Sequence, residues 1–326
     1  MQYTNTVPAP TPVDQFRQLT RHHVGPLYQG EGQLISEAIE KFEQLSFAEL
    51  VALIDQNRAK LTVPWELRRI WRLTNLSESE KEKYYADYAI KRFEAGQKDV
   101  TLLRSVLEQT GFRTGGQQVR LLDLGTGRGS FLVAAQKERA FSGWQFDGTD
   151  MDMASLLVNL KLNDEFHNDN YRLTCAYGER LPYETGTFNI VASFQTLEHV
   201  GNCDRQVAFI AEACRCLAPG GAAILTFPNR LDVLRPEPHV YIRFMGFVPQ
   251  RFKDRLSLAM RGVPSSDIYP PDAFTLMRGL RRIKGVTFYR RSTSEFSTQG
   301  WKYIIARSTL YRTFCPWNVL VAKKEY

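Results

Sequence analysis

From residue 119 onward, short and almost unbroken apolar runs alternate with stretches in which apolar residues return every three or four positions. Runs of the first kind predict strands buried in a sheet, and those of the second predict helices packed against it. Strands are expected at Val119–Leu124, Trp144–Thr149, Tyr171–Ala176, Phe188–Phe194, Ala222–Phe227, Val286–Tyr289 and Asn318–Ala322. Helices are expected at Met153–Leu162, at Val207–Leu217, which Pro219, Gly220 and Gly221 should close, and at Ala273–Ile283. Strands and helices in such alternation predict an α/β, doubly wound parallel sheet.

Residues 1–98 show no strand signal and read as an N-terminal arm followed by a helical cap. Pro8, Pro10 and Pro12 suit an extended arm. Leu34, Ile35, Ala38, Ile39, Phe42 and Leu45 recur at helical spacing. Ser46 with Glu49 forms a capping-box pattern that opens a second helix through Ile54, and Pro64 should start a third carrying Trp65, Ile70 and Trp71. Ser77 with Glu80 repeats the capping box before Tyr84, Tyr85, Tyr88 and Phe93, and Leu102–Leu107 leads into the sheet. Residues 99–326 then form the second unit. Its stretch at about 228–271 breaks the rhythm with prolines, cations and aromatics, as a functional insertion at the edge of a sheet would.

Composition narrows the partners without choosing one. No apolar run approaches the ~20 residues of a membrane span, and the N-terminus lacks a secretory pattern, so the chain reads as cytoplasmic. Its 5 cysteines are scattered and odd in number, which argues for packing thiols over a disulfide framework. The net charge of +7 admits an anionic partner: nucleic acid, a phospholipid surface in peripheral contact, or a phosphorylated substrate. A solvated helix face explains the late cluster of arginines and lysines equally well.

Chemistry enters at L-L-D-L-G-T-G-R-G. Gly125, Gly127 and Gly129 turn a buried strand into a helix, and their missing Cβ atoms let a nucleotide-like or carboxylate-bearing ligand approach backbone N–H groups at a helix start. Asp150, about 20 residues beyond and at the end of the second strand, can accept hydrogen bonds from both hydroxyls of a ribose.

The collinear stretches L-L-D-L-G-T-G-R-G, F-D-G-T-D-M-D, E-R-L-P-Y-E-T-G-T-F-N-I-V, L-E-H-V, E-A-C-R-C-L-A-P-G-G and L-T-F-P-N resemble the class I S-adenosylmethionine-dependent methyltransferases, in the small-molecule branch that includes ubiquinone-biosynthesis enzymes. The resemblance is strong over about a third of the chain and implies a Rossmann-like, mostly parallel seven-stranded sheet with an antiparallel last strand. It also implies S-adenosyl-L-methionine as cofactor and S-adenosyl-L-homocysteine as product. Gly125, Gly127 and Gly129 would line the methionine part, Asp123 would support its amino group, Asp150 would bind the ribose and Met151 would pack on the adenine. Tyr177 falls where the family usually has an aspartate facing the adenine. Gln195 is placed to touch the methionine end or the acceptor. One of Tyr84, Tyr85 and Tyr88, with Tyr85 the candidate, would cross the cofactor.

His199 beside Glu198 could take the proton of an attacking hydroxyl, or the pair could merely orient a helix. Glu237 and His239, in R-P-E-P-H-V, resemble a recurring E-P-H of enlarged substrate loops, which makes His239 a second candidate base and Glu237, with Tyr241, candidate substrate contacts. In quinone-type relatives E-x-x-E-H supplies acidic ligands to a divalent cation. The first position here is Gln195, a poorer ligand for a hard cation, so no metal is expected. The favoured reading is therefore methyl transfer to a small molecule, by preference to a hydroxyl oxygen. The alternatives are a nucleic-acid methyltransferase and a non-catalytic binding protein that keeps the fold.

Overall fold

Seven strands whose apolar runs let both faces be covered pair into one mixed sheet: β1 (Arg120–Leu124), β2 (Gln145–Asp150), β3 (Tyr171–Cys175), β4 (Phe188–Phe194), β5 (Leu217–Pro228), β6 (Val286–Ser292) and β7 (Trp317–Lys324). Their order across the sheet is β3-β2-β1-β4-β5-β7-β6. β1 to β5 run parallel, and β7 lies antiparallel between β5 and β6. The computed structural model describes residues 31–61, 73, 76–112, 118–233, 235–237, 240–262, 265 and 268–325. The proline-rich arm, the helix expected from Pro64 with Trp65, Ile70 and Trp71, and His239 lie outside the described residues.

The strand order reverses beside β1. Ligands of open parallel sheets bind at that crevice, outside the carboxyl ends of the strands. Before the sheet come α1 (Glu31–Glu40), α2 (Phe47–Leu61), α3 (Glu78–Ala86) and α4 (Tyr88–Thr110). Both capping boxes form: Ser46 with Glu49 before α2, and Ser77 with Glu80 before α3. The second helix runs to Leu61, past the expected stop at Ile54, and the aromatic stretch divides into α3 and α4 at Asp87. α4 passes without a break across residues 98–99. Leu50, Val51, Ile54, Leu103 and Val106 of these helices pack in one continuous core with Leu121, Ile190 and Ile224 of the sheet.

The helices over the sheet are α5 (Ser130–Ala135), α6 (Met153–Glu165), α7 (Cys203–Cys216), α8 (Gln250–Arg261) and α9 (Ala273–Leu280). Between β6 and β7 stand three short helices, α10 (Ser294–Ser297), α11 (Trp301–Arg307) and α12 (Thr309–Phe314), which the apolar pattern does not predict. One expectation is corrected at Pro219-Gly220-Gly221. α7 starts earlier, at Cys203 after an Asn202 cap, and ends at Cys216; the prolyl-glycyl segment lies within β5. Phe188 pairs with Leu217 and Ile190 with Ala222, so the segment is an irregularity bulging out of the ladder. Proline lacks the ladder donor and Gly220 takes φ +73, which is why these residues break a strand register here and do not cap a helix.

Candidate functional site

The glycine turn is shaped by three positive φ angles, +80 at Gly125, +50 at Gly127 and +84 at Gly129. Two of these glycines are needed for packing. A Cβ on Gly125 would sit 2.2 Å from Thr196 Cγ2, and one on Gly129 would sit 2.4 Å from Asn159 Oδ1. Gly127 differs, because a Cβ there meets nothing within 4 Å and would point into open space. Asn159, on α6, holds the turn from behind by donating to Thr126 Oγ1 at 3.0 Å and to the Gly127 carbonyl at 3.3 Å. Asp150 ties the turn to β2: its carboxylate accepts from the Gly127 N–H at 2.8 Å and from the Asp152 N–H at 2.9 Å.

In front of this turn lies a cavity of about 1150 Å³. Gly125, Gly127, Asp150 and Met151 line it, with Ala176 and Gly178 beyond β3. Gln195, His199, Arg205 and Tyr269 line it on the side of β4 and α7, while Leu76, Tyr84, Tyr88 and Arg92 close it from the helical cap. Gln195 is exposed and adopts φ +55, a left-handed conformation rare for a side chain of its size and characteristic of functional turns. His199 is exposed. Glu198 is fully buried behind it, and its carbonyl accepts the Tyr269 N–H at 2.8 Å.

Other residues named from the sequence lie behind or beside the cavity wall. Asp123 is buried and does not line the cavity; its Oδ2 finds no hydrogen-bond partner among the described residues. Gly129 and Tyr177 are not among the lining residues, and neither is Tyr85, which packs edge-on against Tyr84 with centroids 5.3 Å apart. Glu237 turns away into its own loop, where a carboxylate oxygen accepts the Val240 N–H at 2.7 Å. Tyr241 is exposed and also outside the cavity wall.

The structure adds residues that the sequence did not single out. Asp55 and Arg58, one turn apart on α2, reach across to the two loops that shape the cavity. Asp55 pairs with Arg128 of the glycine turn at 2.9 Å, with both side chains buried. Arg58 is fully buried and forks onto both oxygens of Asp152, one contact being 2.8 Å. From α4, Arg92 lines the cavity with its buried Nε lacking a hydrogen-bond partner among the described residues, and its guanidinium lies 6.0 Å from the centre of the Tyr88 ring. No sequence signal marks these partners, because Arg58 and Asp152 are 94 positions apart.

Three carboxyls around the turn hold their protons unusually well. Burial pushes Asp123 up to about 7, helped by the charges of Asp99 and Asp150. Burial lifts Asp99, on α4, to about 7 despite Arg92 and Lys98, and lifts Asp150 to about 6 with the aid of the Asp152 charge. Each value lies above the ordinary 3.8. The stability these groups contribute is therefore full below about pH 4 and is lost as pH rises through 6 to 7. A cation held among them favours their ionised forms. Affinity for an ammonium-bearing cofactor should thus rise with pH up to neutrality, by up to about tenfold per unit for each carboxyl, with proton release on binding. Calorimetry in buffers of different ionisation enthalpy at pH 6 and pH 8 measures both. An affinity flat across that range would show that these carboxyls do not meet the ligand's charge.

A glycine turn at a helix start, an acid at the end of β2 and a cavity at the point where strand order reverses define a Rossmann-like α/β domain with its ligand crevice at the carboxyl ends of the strands. Residues 122–225 match the family described as methyltransferase domain. This stretch of the chain carries a methyltransferase domain, of the kind that uses S-adenosylmethionine. No curated protein matches the full sequence. Among solved structures the chain is similar to phosphoethanolamine N-methyltransferase 2 of Haemonchus contortus bound to S-adenosylmethionine, at 17% identity over 74% of this chain and 58% of that one, with a TM-score of 0.46. It is also similar to an S-adenosylmethionine-dependent methyltransferase of Mesorhizobium loti, at 17% identity over 66% and 95% with a TM-score of 0.45. A third is geranyl diphosphate C-methyltransferase of Streptomyces coelicolor, at 14% identity over 64% and 72% with a TM-score of 0.41. Likeness at this level is one of fold and leaves the acceptor undecided.

The residues present suit the cofactor. Open space over Gly127, the two-toothed Asp150 carboxylate and the orphaned Arg92 Nε, all at the cavity, would suit a nucleoside with a charged amino-acid tail, and the buried Asp123 carboxyl stands behind that wall. Among the described residues no group of three or more His, Cys, Asp or Glu could hold a metal ion, and no helix is long and apolar enough to cross a membrane.

Proposed function

We propose that the chain transfers the methyl group of S-adenosylmethionine to a small-molecule hydroxyl, in the cavity between the glycine turn and the helical cap. One observation carries this reading: the same cavity of about 1150 Å³ holds the cofactor-turn residues and, beside them, a separate polar wall of Gln195, His199, Arg205 and Tyr269. A single-ligand pocket typically occupies about 300–1,000 Å³, so there is room for an acceptor beside the cofactor. The bound cofactor supplies a methyl already activated on a sulfonium, which leaves the protein mainly to orient and to exclude water.

In this reading Asp150 holds the ribose, Met151 covers the adenine, Arg92 receives the carboxyl end of the methionine part, and Asp123 supports its amino end from behind the cavity wall. Gln195 orients the acceptor, and His199, exposed to the cavity, would take the hydroxyl proton as the carbon–oxygen bond forms and the methyl–sulfur bond breaks, its electron pair staying on the sulfur of the S-adenosylhomocysteine that leaves. The helices before residue 98 and the 228–271 stretch would act as the walls that keep water out. Tyr84 and Tyr88, which line the cavity, support a cap role for this region.

The test is to incubate the protein and isotopically labelled cofactor with small-molecule extracts and to follow the mass of one labelled methyl into product. With an acceptor in hand, His199→Gln should lower kcat by about 10²- to 10⁴-fold and leave cofactor affinity unchanged. Full activity in that variant would remove His199 from the reaction, and failure of the wild type to bind S-adenosylmethionine would remove the proposed activity altogether.

A further inference from the structure

Helix α8 packs Leu256 inward yet exposes further apolar residues on its outer side. It buries Lys253 and Ser257 while Phe252, Leu258 and Met260 stand 43%, 50% and 55% exposed. A helix facing water on its outer side presents the opposite arrangement. Just before it, Phe244 and Phe247 are 54% and 51% exposed, and the exposed cations Arg251, Arg255 and Arg261 are interspersed among these apolar groups.

A second such face comes from α11 and α12. Trp301, Ile304 and Leu310 are 67%, 71% and 73% exposed, with Lys302 and Arg307 exposed between them. The lone acid between residues 286 and 316 is Glu295. It is buried and held by Arg312, whose guanidinium donates to both of its oxygens at 2.8 and 2.6 Å, so it does not offset the surface cations.

Topology puts the two faces on one edge of the sheet. β5 leads out into the stretch that carries α8, and β6, parallel to β5, leads out into α10–α12 before the chain returns along β7. Asn229 fastens the two exits together by donating to the carbonyls of Thr313 and Cys315, each at 2.9 Å. This is the carboxyl edge, where the cavity also opens. The small core of Val240, Ile242, Met245 and Ile268 under α8 runs directly into Tyr269 of the cavity wall.

We propose that this edge, formed by α8 with the Phe244–Phe247 turn and by α11–α12, docks on the surface of an anionic phospholipid bilayer and presents the cavity mouth to an acceptor held in that surface. Exposed aromatic and aliphatic tips ringed by Arg and Lys are what interfacial binding to anionic headgroups requires. The outward apolar face of α8 is explained if its surroundings are acyl chains and not water. The acceptor class is then an amphiphile whose polar end carries the nucleophile, a statement that rests on the methyl-transfer reading above; the docking itself does not.

Co-sedimentation of the full chain with vesicles tests this, using phosphatidylcholine with phosphatidylglycerol against phosphatidylcholine alone. Binding is expected to the anionic vesicles only and to weaken with salt. The double variant Lys302→Glu/Arg307→Glu should lose at least about thirty-fold in partitioning: roughly a factor of five for each cation removed at an anionic surface, and more from the repulsion of the two new carboxylates. Ile304→Ser/Leu310→Ser should weaken partitioning as well. Calorimetry of S-adenosylmethionine on each variant should give the wild-type affinity, which shows that the fold is intact. Absence of vesicle binding with cofactor binding intact overturns the docking. So does binding that none of the variants changes, or a dimer in sedimentation velocity that these variants dissolve without any vesicle binding. Loss of cofactor binding in the wild type would instead overturn the methyl-transfer reading and leave the docking to stand or fall by its own result.

Discussion

Replacing Arg58 by methionine is expected to destabilise the protein by about 3 kcal/mol and to weaken S-adenosylmethionine binding at the same time, because it strands a largely covered acid on the cavity wall. Arg58 has no exposed surface, and both oxygens of Asp152 are bound to its guanidinium. Asp152 is two residues from Asp150 and donates its backbone N–H to the Asp150 carboxylate, so it helps aim the acid proposed to hold the ribose. Methionine keeps the apolar volume but removes the guanidinium that meets both carboxylate oxygens of Asp152, while the Ser155 hydroxyl still donates to one of them. The loop after β2 must then move to bring Asp152 to water. Combining Arg58→Met with Asp152→Leu removes both charges and should recover most of the lost stability, since a buried pair replaced by apolar groups is often neutral. Urea unfolding of the two variants decides the matter. A single variant no less stable than the double would mean that the ion pair does not hold α2 to the cofactor loop.

Gly125→Ala should cost about 2–4 kcal/mol, the sum of forcing a side chain to φ +80 and of overpacking against a neighbour that cannot step aside. The new Cβ would lie 2.2 to 2.8 Å from three side-chain atoms of Thr196. The threonine is branched at Cβ and bound by its hydroxyl to the Gly125 carbonyl at 3.2 Å, so relief requires moving the backbone that carries Gln195 and His199. Gly127→Ala is the contrast. Its Cβ enters open space, so unfolding should shift by only about 1 kcal/mol for the left-handed backbone, while cofactor affinity falls by at least about tenfold because a methyl occupies the cradle. Thermal melts with and without S-adenosylmethionine separate the two effects. Equal loss of stability in both variants, with affinity retained in Gly127→Ala, would remove that glycine from the cofactor site.

How far the residues foretold these features depends on how local the cause is. Strands β1 to β5 announce themselves because a strand covered on both faces must be apolar throughout, and the two capping boxes mark helix starts because the bonds that make them span three residues. The glycines and Asp150 were readable for the same reason, as a turn and a strand end separated by a predictable length of chain. Pro219-Gly220-Gly221 misled because a proline and two glycines interrupt helices and strands alike, and only pairing with β4 tells a bulge from a stop. Helices α10–α12 escaped because their apolar residues face outward in part, so the usual spacing of an inward stripe is missing. Among the tyrosines, Tyr84 and Tyr88 line the cavity and Tyr85 does not; neighbours on a helix differ by about 100° in direction, which the sequence alone cannot orient.

By itself, then, the sequence determined the sheet, the glycine turn and the acid that ends β2, since each rests on short-range sterics and on the burial pattern of one element, and the resemblance carried by those motifs pointed to the cofactor. The tertiary structure decided what surrounds that cofactor. Asp55 and Arg58 read as ordinary charges on an amphipathic helix until folding brings them against Arg128 and Asp152, 73 and 94 positions away. Arg92 joins the cavity and Asp99 comes beside Asp123 only because α4 packs beside the turn, and Lys253 is buried only because α8 lies with that side inward. The physical reason is common to all of them: whether a charge is solvated, paired or buried depends on which distant surface covers it, and no local pattern carries that information.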